Sequence, residues 1–231
     1  MRVNTKLSLL LVLVPSLASA HFILEAPKNS FTQNLLGDPQ KAPPCGEEMS
    51  SSASGQVTTY VAGQTITITV NETIYHPGHY RVSLGLNGPQ DLPAEPVVTA
   101  GSTACGSVPI ESTPTFPVLA DGQLLHDAAF SGKQSFQVTI PANVTCTNCT
   151  LQVLEFMSNH GLNNPGGCFY HHCATINVVA NDGGMLPEQP TTPAAGCSCS
   201  DVSGVPSIVA LLWMITRLPR RRSRDPRAVR D

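Results

Sequence analysis

The middle of the chain alternates apolar and polar residues with a period of two. Thr65-Ile66-Thr67-Ile68-Thr69-Val70, inside the stretch 56–70, is the cleanest case, and its apolar members are β-branched. Such a pattern sends every second side chain to the same face and predicts a half-buried strand. Tyr80-Arg81-Val82-Ser83-Leu84 repeats it, as do 135–140 and 150–154, and 173–179 closes the series. Asn87-Gly88-Pro89, Asp121-Gly122 and Asn163-Asn164-Pro165-Gly166-Gly167 read as the turns between them. No long amphipathic helix and no internal repeat interrupts this. Short strands at such spacing predict an all-β fold, an immunoglobulin-like antiparallel β-sandwich.

The two ends break the pattern. Residues 1–20 carry Arg2 and Lys6, an apolar run from Leu7 to Leu17, and Ala18-Ser19-Ala20, a small-residue cleavage site. This is the layout of a signal peptide, and the run is too short for a membrane span. The sandwich is placed at 21–180. Residues 181–196, with Pro187, Pro190 and Pro193, read as an extended linker. In 197–231, Cys197-Ser198-Cys199 precedes an apolar stretch from Val205 to Leu218 and the cluster Arg220-Arg221-Arg222. This tail resembles a MYXO-CTERM sorting segment. The resemblance implies attachment to a membrane through the C-terminal tail, then processing. The expected location is therefore outside the cell or on its surface.

Charge sharpens this division. The whole chain has a formal net charge of -3. Between residues 21 and 196 lie four basic residues (Lys28, Lys41, Arg81, Lys133) against thirteen acidic ones, a net of −9. A surface so acidic excludes nucleic acid as a partner. All seven histidines lie in this body, with Cys45, Cys105, Cys146, Cys149, Cys168 and Cys173. In an exported chain an even count predicts up to three disulfides stapling the loops, and the pairing stays open. Cys146-Thr147-Asn148-Cys149 has the spacing of a redox or zinc motif. Without a second such pair, a structural disulfide is the preferred reading.

Cleavage after Ala20 makes His21 the first residue. Its α-amine and imidazole Nδ1 then chelate one ion, and a second imidazole opposite completes three nitrogens in a T, a set that suits Cu(II). Two further segments carry histidine: His76-Pro77-Gly78-His79-Tyr80 leads into a strand, and His160 precedes the Gly- and Asn-rich loop that ends in Cys168-Phe169-Tyr170-His171-His172-Cys173. Together these motifs, scattered through residues 21–179, resemble those of lytic polysaccharide monooxygenases, whose copper is held by a histidine brace. By that resemblance His21 and His76 are the metal ligands. Tyr170 takes the axial position. His160, at the end of a strand beginning near Glu155, orients the oxygen species. The resemblance also implies copper as cofactor, a chitin- or cellulose-like polysaccharide as substrate, an external electron donor, and a monomer.

The chain departs from that pattern at three points. Cys168 stands where the family keeps a glutamine. His79 stands where proline is usual, so His76 and His79 compete as second ligand. The body has no tryptophan for stacking on a flat polysaccharide, Trp213 being in the tail; Tyr60, Tyr75 and Tyr80 are the candidates to replace it. Two other functions therefore stand beside oxidative cleavage: copper binding and delivery at the cell surface, and carbohydrate binding without a metal. Among the other histidines, His126 beside Asp127 reads as a surface loop residue. His171 and His172 flank a cysteine, and alternation turns one of them toward solvent.

Overall fold

The computed structural model describes residues 21–182. The expected signal peptide, all but the first two residues of the expected linker, and the tail lie outside the described residues. Eight strands form two sheets. β1 (His21–Ala26), β3 (Thr65–Ile74) and β6 (Gln134–Thr139) make a three-stranded sheet in the order β1-β3-β6. β2 (Val57–Val61), β4 (Gly78–Gly85), β5 (Val118–His126), β7 (Cys146–Met157) and β8 (Phe169–Val179) make a five-stranded one in the order β2-β8-β7-β4-β5. The only helical piece among the described residues is a 3-10 turn at Pro89–Asp91. The all-β sandwich stands as expected, with one refinement: β2 pairs with β8 in parallel, whereas the other ladders are antiparallel.

The alternation read in the sequence is realised most simply in β3. Ile66, Ile68 and Val70 are buried against the other sheet. Thr65 and Thr69 face outward, their hydroxyls hydrogen-bonded across the ladder to Thr139 and Ser135 at 2.9 Å. Phe22, Tyr80, Leu84, Leu151 and Ile176 complete the core between the sheets.

The five-stranded sheet differs because its outer face is covered. The segment 27–56 runs over β7 and β8: His171 N–H donates to the Gln40 carbonyl at 2.7 Å, and Gln152 Nε2 donates to the Pro44 carbonyl at 2.8 Å. All eight residues of β4 are buried. His171 and His172 are both fully buried, against the expectation that one meets solvent. Burial on both faces is the reason. His172 points inward, its Nε2–H donating to the Phe22 carbonyl at 2.9 Å, and His171 points under the covering loops, with Nε2 2.7 Å from Glu95.

Asp121-Gly122, expected as a turn, lies inside β5. Gly122 has φ 65, and the register jumps from Tyr80–Gln123 to Val82–Ala120, so these residues form a bulge in an unbroken strand. Three disulfides join Cys45 to Cys173, Cys105 to Cys168, and Cys146 to Cys149. The third shows the C-x-x-C cysteines joined to each other.

Candidate metal centre

Strand pairing assembles the site at one end of the sandwich. His21 pairs with Ile74 at the end of β3, so the first residue of β1 lies beside the turn that carries His76. Beyond that turn, Gly78 pairs with Met157 as β4 runs antiparallel to β7. A Cβ on Gly78 would stand 1.9 Å from the Phe156 carbonyl oxygen, so only glycine lets β7 approach this closely. The backbone N–H of Ser158 then donates to the Pro77 carbonyl at 2.7 Å, drawing the loop after β7 to the His76 turn. His160 lies on that loop.

The result is four side chains in one place. The rings of His76 and His160 meet edge to face with centroids 4.6 Å apart, and the rings of His21 and Tyr170 lie 5.3 Å apart. All four residues are buried. Burial first, then the charge of neighbouring His160, pushes the His76 pKa down to about 4, with a smaller effect of His21 in the same direction. A neutral imidazole is the form that coordinates a metal. Nδ1 of His76 is enclosed without a well-formed hydrogen bond. Asp38 lies 3.4 Å from Nε2 of His21, the nitrogen not used in a chelate with the α-amine. A carboxylate there fixes the ring, as supporting groups do around metal-bound histidines.

Among the described residues, no three His, Cys, Asp or Glu side chains converge as a metal site. A brace needs only two imidazoles, because the amine of a processed His21 is the third donor. The nitrogen donors here fit Cu(II) on that condition.

His79 belongs elsewhere. Its ring lies 5.5 Å from that of Phe156 and its Nε2 is 3.9 Å from Asp121, on the wall of a cavity of about 590 Å³ that Ile110 and Leu125 also line. Burial lowers its pKa first, and Asp121 opposes this. Of the three tyrosines, Tyr60 and Tyr80 are buried, and Tyr75, 36% exposed, stands beside His76. Cys168 is tied to Cys105 and has no group to offer a ligand. Cys105 in turn bridges His160 by a backbone N–H to its carbonyl at 3.0 Å, so the disulfide anchors the His160 loop to the start of β8. An amide does lie against Tyr170, whose hydroxyl donates to Asn163 Oδ1 at 3.5 Å. The Nδ2 of Asn163 is enclosed without a partner.

Two residues near the site escape a reading by spacing. His126, expected as a surface loop residue, closes β5 with a side chain only 6% exposed, and its Nε2 is 3.0 Å from Glu72 on β3. Glu155 on β7 is fully buried, with the Tyr80 hydroxyl donating to its Oε1 at 3.1 Å. Burial, and then the charge of Glu72, pushes its pKa up to about 8.

No protein-family model matches the sequence. The chain is 29% identical over 133 residues to the AA9 family lytic polysaccharide monooxygenase D of Phanerodontia chrysosporium. That match takes in 57% of this chain and 52% of the fungal protein, so it spans about half of the relative's length. Among solved structures, the AA15 lytic polysaccharide monooxygenase of Thermobia domestica in its Cu(I) state aligns with 17% identity and a TM-score of 0.47, over 68% of this chain and 98% of that one. A chitin binding domain from Burkholderia pseudomallei aligns with 8% identity and a TM-score of 0.38, over 70% and 100%.

Proposed function

We propose that this is an exported copper protein that cleaves polysaccharide chains oxidatively, in the manner of lytic polysaccharide monooxygenases. The observation that supports it best is the gathering of His21, His76, His160 and Tyr170, from four separate segments, at one end of the sandwich. Similarity to the fungal AA9 protein agrees with it. His21, through amine and Nδ1, and His76 would hold the copper. When bound, the metal supplies one-electron chemistry with oxygen or peroxide after reduction by an external donor. Tyr170, rooted in the core, closes the inner approach, so sugar arrives from the solvent side. His160 places a hydrogen-bonding imidazole beside His76. Tyr75 is the exposed ring available for a sugar face.

The test compares protein beginning at His21 with the same protein extended by one residue and with His21→Ala. The expected outcome is Cu(II) binding weakened about a hundredfold or more in both altered forms. The first form, given reductant and chitin or cellulose, yields oxidised oligosaccharides by mass spectrometry. Equal copper binding in all three forms rejects the brace.

A second reading, copper capture and delivery without turnover, is favoured by the Cys105–Cys168 disulfide, which removes position 168 from any polar role. It predicts the same copper titration with no oxidised sugars and no rapid peroxide formation.

A further inference from the structure

The turn that presents His76 is fastened from below by a buried carboxylate. Glu72 lies on β3 with a side chain 3% exposed. Its Oε1 accepts two hydrogen bonds, from the backbone N–H of His76 at 3.1 Å and from Nε2 of His126 at 3.0 Å. The other nitrogen of His126, Nδ1, faces the Leu124 carbonyl at 2.8 Å. Both ring nitrogens of His126 thus face oxygen atoms, and against the effect of burial the hydrogen bonds to Glu72 and Leu124 raise its pKa. The ring is further held by Phe130, with centroids 4.2 Å apart, and by Tyr75 at 6.0 Å. The Tyr75 hydroxyl donates to the Asp127 carbonyl, one residue past His126. One carboxylate oxygen thus ties β3, the His76 turn and the end of β5 together.

We infer that Glu72, held in place by His126, is a positioning residue for the second copper ligand. It touches neither the metal nor the sugar. It fixes the backbone direction at His76 and so the line along which that imidazole points. A charged acceptor makes a shorter and stronger bond to an N–H than a neutral one, which suits this task. The assignment rests on the brace reading of His21 and His76.

The experiment uses protein processed to begin at His21, loaded with Cu(II) alone, and reads affinity by titration and ligand geometry by electron paramagnetic resonance. Wild type is expected to give a spectrum of three equatorial nitrogens. Glu72→Ala is expected to lose about tenfold in affinity and to shift toward the two-nitrogen spectrum of His21 alone. Glu72→Gln keeps the acceptor oxygen and is expected to retain the wild-type spectrum, a rescue that a general loss of folding would not show. His126→Phe keeps a ring among the aromatics but releases the carboxylate, and is expected to shift the spectrum in the same direction as Glu72→Ala by a smaller amount. Should Glu72→Ala fail to fold, His126→Phe decides, and an unshifted spectrum there overturns the clamp. So does a folded Glu72→Ala with wild-type affinity and spectrum. Wild type without a three-nitrogen spectrum overturns the brace itself, and the clamp with it.

Discussion

The two sheets of this sandwich handle polar residues in opposite ways. Along most of the three-stranded sheet, polar side chains face water: Thr65 and Thr69 hydrogen-bond to Thr139 and Ser135 on an exposed surface, and the enclosed exceptions, His21 and Glu72, lie at the end beside the candidate metal centre. In the five-stranded sheet they are enclosed. Arg81, Glu155, His171 and His172 are all buried in β4, β7 and β8. Each has a specific partner there. Arg81 Nη2 lies 2.6 Å from Asp121 and 2.9 Å from Glu111, and Asn29 Nδ2 donates to Nδ1 of His172 at 3.1 Å. Buried polar groups are costly to leave unmatched, so the second sheet depends on its pairs whereas the first barely does. The candidate metal centre draws on both sheets, but Tyr170 stands on β8, and His160 on the loop that follows β7, in the sheet that is already committed to enclosed polar contacts.

The contrast can be broken hardest at Arg81. Arg81→Met takes the arginine cation from Asp121, with a side chain 1% exposed, and leaves that buried carboxylate the N–H groups of Glu111 and Gly122 and the ring of His79. Burial alone would raise the pKa of that carboxyl, and Arg81 is the main group holding it down. Urea unfolding should show a loss of about 3 kcal/mol or more. Parity with wild type would mean the pair contributes nothing that methionine cannot replace.

Glu155 gives the next largest effect, through pH. With a pKa of 4.5 in the unfolded chain and about 8 in the fold, it binds its proton more tightly when folded. Stability therefore falls as pH rises from 4.5 to about 8. His172 works the other way: burial first lowers its pKa from 6.5 to about 4, so its contribution is lost as pH falls through that range. Above pH 6.5 only the Glu155 effect remains of these two. Glu155 alone should cost metal-free protein about 2 kcal/mol between pH 6.5 and 8 at up to about 1.4 kcal/mol per pH unit. His126, whose pKa is raised against burial by its bonds to Glu72 and Leu124, slopes the same way, so Glu155→Gln should reduce the slope in denaturant titrations without abolishing it. The smallest effect belongs to the other sheet. Thr65→Val and Thr69→Val should each change stability by less than about 0.5 kcal/mol. A larger loss would show that the exposed ladder matters as much as the enclosed one.

The same difference explains what could be read from sequence. β3 and β6 alternate cleanly because one face is wet, so period two announces them. β8 begins at Phe169, four residues before its alternation becomes visible, because Phe169, Tyr170, His171 and His172 are all buried. β5 was hidden by Asp121-Gly122, a pair with turn chemistry that serves here as a bulge. His21, His76, His160 and Tyr170 were singled out by residue type and order, and in the structure the His21–Tyr170 and His76–His160 rings lie at the same end of the sandwich. The Glu72–His126 pair was not. Its partners are 54 positions apart and on different sheets, and only the packing of β3 against the end of β5 brings them within 3.0 Å. Nor does spacing reveal that His79 faces Asp121 while His76 faces His160.

One feature of the topology bears on how the molecule comes into being. β8 is the last strand of the sandwich in chain order, yet it lies in the interior of its sheet, with β2 on one side and β7 on the other. Residues 57–61 must wait for residues 175–179 before they have a neighbour. A nascent or truncated chain that stops before Phe169 therefore leaves β2 without its ladder partner and β7 with only one of its two. It lacks Tyr170 and Cys173, the disulfide partner of Cys45, and it exposes the edges of two strands at once. The last strand of the sandwich to leave the ribosome is thus the one that joins β2 to the rest of its sheet.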